Sequence, residues 1–212
     1  AEDNEGIKSF FTQSLFSAEG WLVEDWKTPV CSGILLGALG FFNGAVLLVS
    51  VMILFFMAAA SHRRLEYLIM AAISGALSFL QTSVFIDGQT FSTSYLYGFL
   101  SDNGTLFSSI DFILKLLGVL PVLLIVCFIF EDIVSRYLMI CFSVPIVFSF
   151  TVSLTPDIAV NHKYIMIAVM LLNIFAASLI TKMFEQRKVV TGIVAAGLII
   201  TLTATGIYDT YI

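Results

Sequence analysis

From Pro29 to Ser61 not one residue is charged, and this run restricts the chain more than any other feature. A straight α-helix of that length would extend about 50 Å, against a bilayer hydrocarbon core of about 30 Å. Gly37, Gly40, Asn43 and Gly44 fall in its first half. They predict a break, with a short re-entrant or tilted piece leading into a span near 43–60. A strongly tilted continuous helix is the alternative.

Composition places the whole chain in the same setting. Apolar residues make up 59% of it, charged residues 12%, and mean hydropathy is +1.01. Soluble domains are about a quarter charged, so bilayer-spanning helices are the expected unit of structure. Further apolar runs predict spans near 65–86, 110–130, 137–154, 164–183 and 189–208. The chain therefore reads as all-α: a polytopic transmembrane helix bundle over residues 31–212, of about six spans. A net charge of -5 argues against nucleic acid as a partner, which requires a basic surface. Cys31, Cys127 and Cys141 all sit in apolar runs, where they act as small hydrophobes.

Residues 1–30 read as an interfacial amphipathic segment on the outer face. Ile7, Phe10, Phe11, Leu15, Ala18 and Leu22 recur at helical spacing, polar residues fill the rest of the wheel, and Trp21 and Trp26 follow. That pattern suits a helix lying in the membrane interface; a lid or linker helix packed on protein is the other reading. No signal peptide is visible after Ala1, and Asp209-Thr210-Tyr211-Ile212 closes the chain at the end of a span without a polar tail. Both features lead to the expectation of a processed protein or a piece of a longer one.

With six spans, alternate loops share a side. One set holds Arg63, Arg64, Arg136, Lys182, Arg187 and Lys188; the other holds Lys8, Lys27 and Lys163. The excess of cations predicts the first set as cytoplasmic, with both termini, the aromatic loop of residues 87–109 and the loop of residues 155–163 outward.

The second of these loops has the densest chemistry. Asp157, Asn161, His162 and Lys163 fall within seven residues between two apolar spans, and a cation at the outer mouth of a span points to an anionic ligand. His162 has the right neighbours for acid–base work or metal binding. The chain's other histidine, His62, lies on the opposite face, and a metal needs a cluster, so a solvated histidine is the simpler reading. Lys115 follows Asp111 by one helical turn, which favours either a local ion pair or a contact with a lipid phosphate. Asn43 reads as a cap for the main span or as the lining of a cavity. Asn173, mid-span, is expected in an interhelical hydrogen bond. Phosphate-binding Gly-rich loops, HExxH pairs and GxSxG elbows are absent from the sequence, and no cofactor is identified.

Four segments carry a family resemblance. They are Leu39-Gly40-Phe41-Phe42-Asn43-Gly44-Ala45; Arg63-Arg64-Leu65-Glu66-Tyr67-Leu68 leading to Phe79-Leu80-Gln81; the aromatic outer loop preceding Phe112 to Pro121; and Asn161-His162-Lys163 where the chain re-enters the membrane. Over residues 39–209 their order resembles the C-terminal membrane portion of polytopic bacterial glycosyltransferases of the GT-C type. Asn43 stands where such proteins often have His. The resemblance implies an integral protein of the bacterial plasma membrane that transfers a sugar from a polyprenyl-phosphate donor on the outer side. In that reading Lys163 and Lys115 offset phosphate charge, Tyr95, Tyr97 and Phe99 stack on sugar faces, and Asn161, His162 and Asn43 complete the substrate-binding set. The catalytic acid of such enzymes lies in their first outer loop, so no carboxylate here takes its role and the catalytic residues are unknown. A non-enzymatic membrane subunit or scaffold, with other membrane subunits as partners, is the second reading. A transporter ranks last, because paired broken helices and midplane charges are wanting.

Overall fold

A computed structural model describes residues 18–85, 93–186 and 188–211, with Phe85 and 204–211 described by backbone alone. Eight α-helices dominate: α1 (Lys27–Leu39), α2 (Gly44–Ala59), α3 (Arg64–Phe85), α4 (Leu106–Leu117), α5 (Leu120–Phe130), α6 (Ile133–Thr151), α7 (His162–Glu185) and α8 (Val189–Tyr211). Two short strands, β1 (Ser94–Tyr95) and β2 (Val152–Ser153), pair antiparallel. The fold is all-α. Among the described residues three stretches are long and apolar enough to cross a membrane: Arg64–Val84, Ile133–Thr151 and Ile158–Glu185. These described residues thus show three candidate spans by length and composition, or four if α4 and α5 form one broken span, and not clearly the six or so expected.

The charge-free run breaks where the glycines and Asn43 lie. The Asn43 side chain accepts from the amides of Ala45 and Val46 at 3.1 and 3.3 Å, which satisfies two of the orphan donors at the start of α2. Asp25 does the same for α1, accepting from the Lys27 and Thr28 amides.

The α1 helix packs along α3 through a glycine stripe. A Cβ at Gly33 would meet Ile73 at 2.9 Å, and one at Gly37 would meet Leu77 at 2.6 Å. Ser74 donates to the Gly33 carbonyl at 3.1 Å and Gln81 to the Gly40 carbonyl at 3.2 Å. Partner numbers rise together, so α1 and α3 run in the same direction and α2 returns between their ends. The α1 helix, 13 residues long and shorter than a membrane span, is therefore the short piece that leads into α2, packed parallel to α3.

This parallel packing corrects the expected arrangement of the N-terminal segment. Arg63 pairs with Glu24 at 2.8 Å, the Glu24 amide donates to the Glu66 carboxylate at 3.1 Å, and the Arg64 guanidinium lies 5.2 Å from the Trp21 ring centre. Residues 18–26 thus sit with the Arg63 turn, at the end from which α8 also departs, rather than with the 155–163 loop. The two termini were expected on one face with that loop; the described N-terminal residues are at the opposite end. The helical spacing over residues 7–17 lies outside the described residues.

A second correction concerns the single span expected near 110–130. The chain turns by 97° between α4 and α5, at Gly118, whose φ of 57° suits glycine. Pro121 then sits in the first turn of α5, where its missing N–H costs no hydrogen bond. Exposed Leu106, Phe107, Ile110 and Leu114 and the inward Phe112 make α4 an amphipathic helix lying across the bundle end.

The core forms where α2, α5, α6 and α7 meet. Val49, Ile53, Cys141 and Tyr164 make one buried cluster, and Cys127, Met139, Leu172 and Phe175 another. All three cysteines are free thiols, Cys127 and Cys141 buried among apolar side chains and Cys31 exposed.

Candidate functional site

Two loops distant in sequence meet at the end opposite Arg63. Ser94 and Tyr95 pair with Ser153 and Val152, and the ladder continues as Leu96 N–H to Thr151 O and Gly98 N–H to Phe150 O, both at 3.0 Å. Beneath it Phe99, Phe112 and Phe150 pack edge-on with ring centres 5.6 to 6.1 Å apart. Phe99 is buried with a φ of 52°, a conformation that costs a non-glycine residue about 1 kcal/mol or more. Packing of its ring offsets that strain and holds the turn that presents Tyr95 and Tyr97, which are 84% and 80% exposed.

Asn161 is the fastening of the second loop. Only 1% exposed, its side-chain amide donates to the carbonyls of Ser149 at 2.9 Å and Val152 at 2.7 Å. Ser149 in turn donates to the Asn161 carbonyl at 3.3 Å. The amide's donors are committed to main chain, so its work is to position the loop. Asp157 caps the following 3-10 turn through the Ala159 amide at 2.9 Å.

His162 and Lys163 then begin α7 at the surface. His162 Nδ1 lies 3.1 Å from the Ala159 carbonyl. Lys163 is exposed, and among the described residues no carboxylate pairs with it. Because Asn161 bonds to Val152 and Val152 pairs with Tyr95, the cation and the tyrosines share one end of the bundle and one hydrogen-bonded frame. Asn43 lies at this end too, since Gly40 meets Gln81 late in α3; its side-chain oxygen is occupied by the α2 cap. Lys115 is on α4 in an exposed pair with Asp111 at 2.6 Å.

Asn173 departs from expectation. Its side chain is exposed in the middle of α7 and bonds to no other helix among the described residues, because the buried face of α7 is formed by Ala168, Leu172, Phe175, Ala176 and Ile180. Among the described residues no group of three or more His, Cys, Asp or Glu side chains could hold a metal ion.

Two grooves open between the helices, the first reaching Thr151 of the ladder and the second Gly44 next to Asn43. One of about 830 Å³ opens between α2, α5, α6 and α7, and one of about 400 Å³ between α2 and α3. Neither is lined by Tyr95, Tyr97, Asn161, His162 or Lys163. Comparison with known protein families, curated proteins and solved structures finds no match.

Arg136 escaped the sequence reading beyond its value as a topology marker. It falls four residues after Asp132 in a short turn, a spacing that suggests an ordinary local ion pair. In the fold Asp132 instead caps α6, accepting from the Val134 and Ser135 amides at 2.8 and 2.9 Å, and Arg136 turns to the Ile129 carbonyl at 2.8 Å.

Proposed function

We propose that this chain is the membrane-embedded part of a GT-C-like glycosyltransferase that uses a polyprenyl-phosphate-linked sugar, without the loop that carries the catalytic acid. The observation behind this reading is the pairing of Ser94–Tyr95 with Val152–Ser153, which brings exposed aromatic side chains to the same end of the bundle as Lys163, an exposed cation with no carboxylate partner among the described residues. A sugar phosphate needs both: flat faces on which the pyranose stacks, and positive charge for the phosphate. In this reading Lys163 meets the phosphate while Tyr95 and Tyr97 meet the sugar. Asn161 holds the loop in place through the backbone.

The orientation follows from the same frame. Lys27 joins Arg63, Arg64, Arg136, Lys182 and Lys188 at one end, which makes that end cytoplasmic by the charge rule, with the Lys163 end outward from a bacterial plasma membrane. The α4 helix, bent away from α5, lies in the outer interface with Lys115 and Asp111 among the headgroups.

The decisive variant is Lys163→Met in the full-length protein that contains this chain. An apparent donor KM raised about tenfold or more, with Lys163→Arg recovering most of it, is expected for a lost charge-assisted contact; unchanged kinetics would refute the phosphate role. Asn173 favours a second reading, a subunit of a larger membrane complex, because an amide exposed halfway along an apolar helix gains by meeting a partner helix. Purification with a stoichiometric membrane partner and no transferase activity would select that reading.

A further inference from the structure

The groove between α2, α5, α6 and α7 is walled by Met52, Phe56, Leu124, Ile129, Val144 and Val147 among others. Its two hydroxyls are already engaged, Ser143 with the Met139 carbonyl at 2.8 Å and Thr151 with the Val147 carbonyl at 2.9 Å. An occupant therefore meets almost nothing but hydrocarbon, and the chemistry that matches is an acyl chain.

The groove runs from Phe56 and Ile129 at the Arg63 end to Phe148 and Thr151 at the other. Arg136 stands at the first of these ends, donating through Nη2 to the carbonyl of Ile129, itself a groove residue. That carbonyl belongs to the last turn of α5, whose dipole favours a cation, and this accounts for one nitrogen. The Nε is buried without a partner, and no carboxylate among the described residues lies within ion-pair distance of the guanidinium. The acids closest in sequence are engaged elsewhere: Asp132 in the α6 cap and Glu131 with Lys182 at 2.5 Å. A guanidinium remains charged at any working pH. The Nε is enclosed, but the terminal nitrogens, with Nη2 at the exposed side, carry a charge that has no carboxylate partner among the described residues and that a lipid phosphate would offset.

We infer that the groove holds one acyl chain of an anionic phospholipid from the leaflet at the Arg63 end, with the lipid phosphate on Arg136. Its phosphate position, at Arg136, is at the opposite end of the bundle from Lys163, and the proposal does not depend on the transferase reading. A zwitterionic lipid also fills the groove, but its own cationic headgroup competes with the guanidinium for the phosphate, so the site prefers net negative lipids.

The test uses the full chain, purified in detergent and titrated with phosphatidylglycerol or phosphatidylcholine of matched acyl chains, with bound lipid counted by native mass spectrometry. Wild type should retain phosphatidylglycerol in preference to phosphatidylcholine. Arg136→Gln should lower phosphatidylglycerol retention about tenfold, as expected for a lost charge-assisted hydrogen bond, and Arg136→Lys should keep a measurable part of the preference. Val144→Trp, which fills the groove and leaves the charge, should lower retention of both lipids. Variants are compared only where they elute from size exclusion as wild type does. Equal retention of the two lipids by wild type, an unaffected Arg136→Gln, or an unaffected Val144→Trp would each overturn the proposal. So would loss of the lipid in Lys163→Met, which would move it to the other end.

Discussion

The connection from Ala60 to Arg63 and the one from Val152 to Asn161 each join two helices of the bundle, yet they are closed by different forces. At the first, side-chain charge does most of the closing. Arg63 reaches Glu24 and Glu66, and at the neighbouring turn Lys182 reaches Glu131. At the second, amides and backbone do it: Asn161 to Ser149 and Val152, Asp157 to Ala159, and the β1–β2 ladder. The difference decides which charges remain available. Ion pairs consume Arg63 and Lys182 at that end and leave Arg136 without a carboxylate among the described residues, whereas the loop end is built without spending Lys163. At either end the cation open to an anion is the one that the scaffold's ion pairs do not use.

This contrast breaks first if the two ends do not face opposite sides. With Cys31 replaced by Ser, Asp25→Cys and Lys163→Cys should be labelled by a membrane-impermeant thiol reagent from opposite sides, an all-or-none difference in accessibility. Labelling of both from one side would overturn the parallel packing of α1 on α3.

The next largest effect is expected at Asn161. Asn161→Leu leaves two carbonyls without their donors in a buried setting, at a cost of about 3 kcal/mol, read as lower resistance to unfolding in detergent and faster proteolysis between residues 152 and 161. An unaffected variant would mean the loop is held by the strand ladder alone.

Asp132 tests the charge-closed end more gently. Asp132→Ala removes the α6 cap and should cost about 1 kcal/mol. The Ser135 amide, with smaller help from its hydroxyl and the Val134 amide, holds the Asp132 carboxyl below the usual carboxylate range. A folded-state value below the unfolded one means that this stabilisation is complete above about pH 4 to 5 and is lost as pH falls through the unfolded value near 3.9 towards the folded one. Thermal unfolding between pH 3 and 6 should therefore slope less in Asp132→Ala than in wild type.

The smallest change should come from Lys163. Lys163→Met alters an exposed side chain with no described ion pair, so stability should move by no more than about 0.5 kcal/mol. A larger loss would show Lys163 to be part of the scaffold.

Much of this was legible along the chain. Long apolar runs dictated helices because backbone polar groups in lipid must be satisfied within the segment, and Asn43 marked a helix start because a short amide can accept from the first free N–H groups. The bend at Gly118 had signals, a glycine three residues before Pro121 and an amphipathic stretch with Asp111 and Lys115 on one face, but a continuous apolar count masked them. The direction of α1 against α3, the pairing of residues 94–95 with 152–153, the inward turn of the Asn161 amide and the outward position of Asn173 were settled only in three dimensions. Hydropathy and capping are properties of neighbouring residues. Which helix runs beside which, and which end a loop occupies, depend on glycine contacts, hydrogen bonds and ion pairs between positions some forty or more residues apart, as between Gly33 and Ser74, and local composition does not encode those pairings.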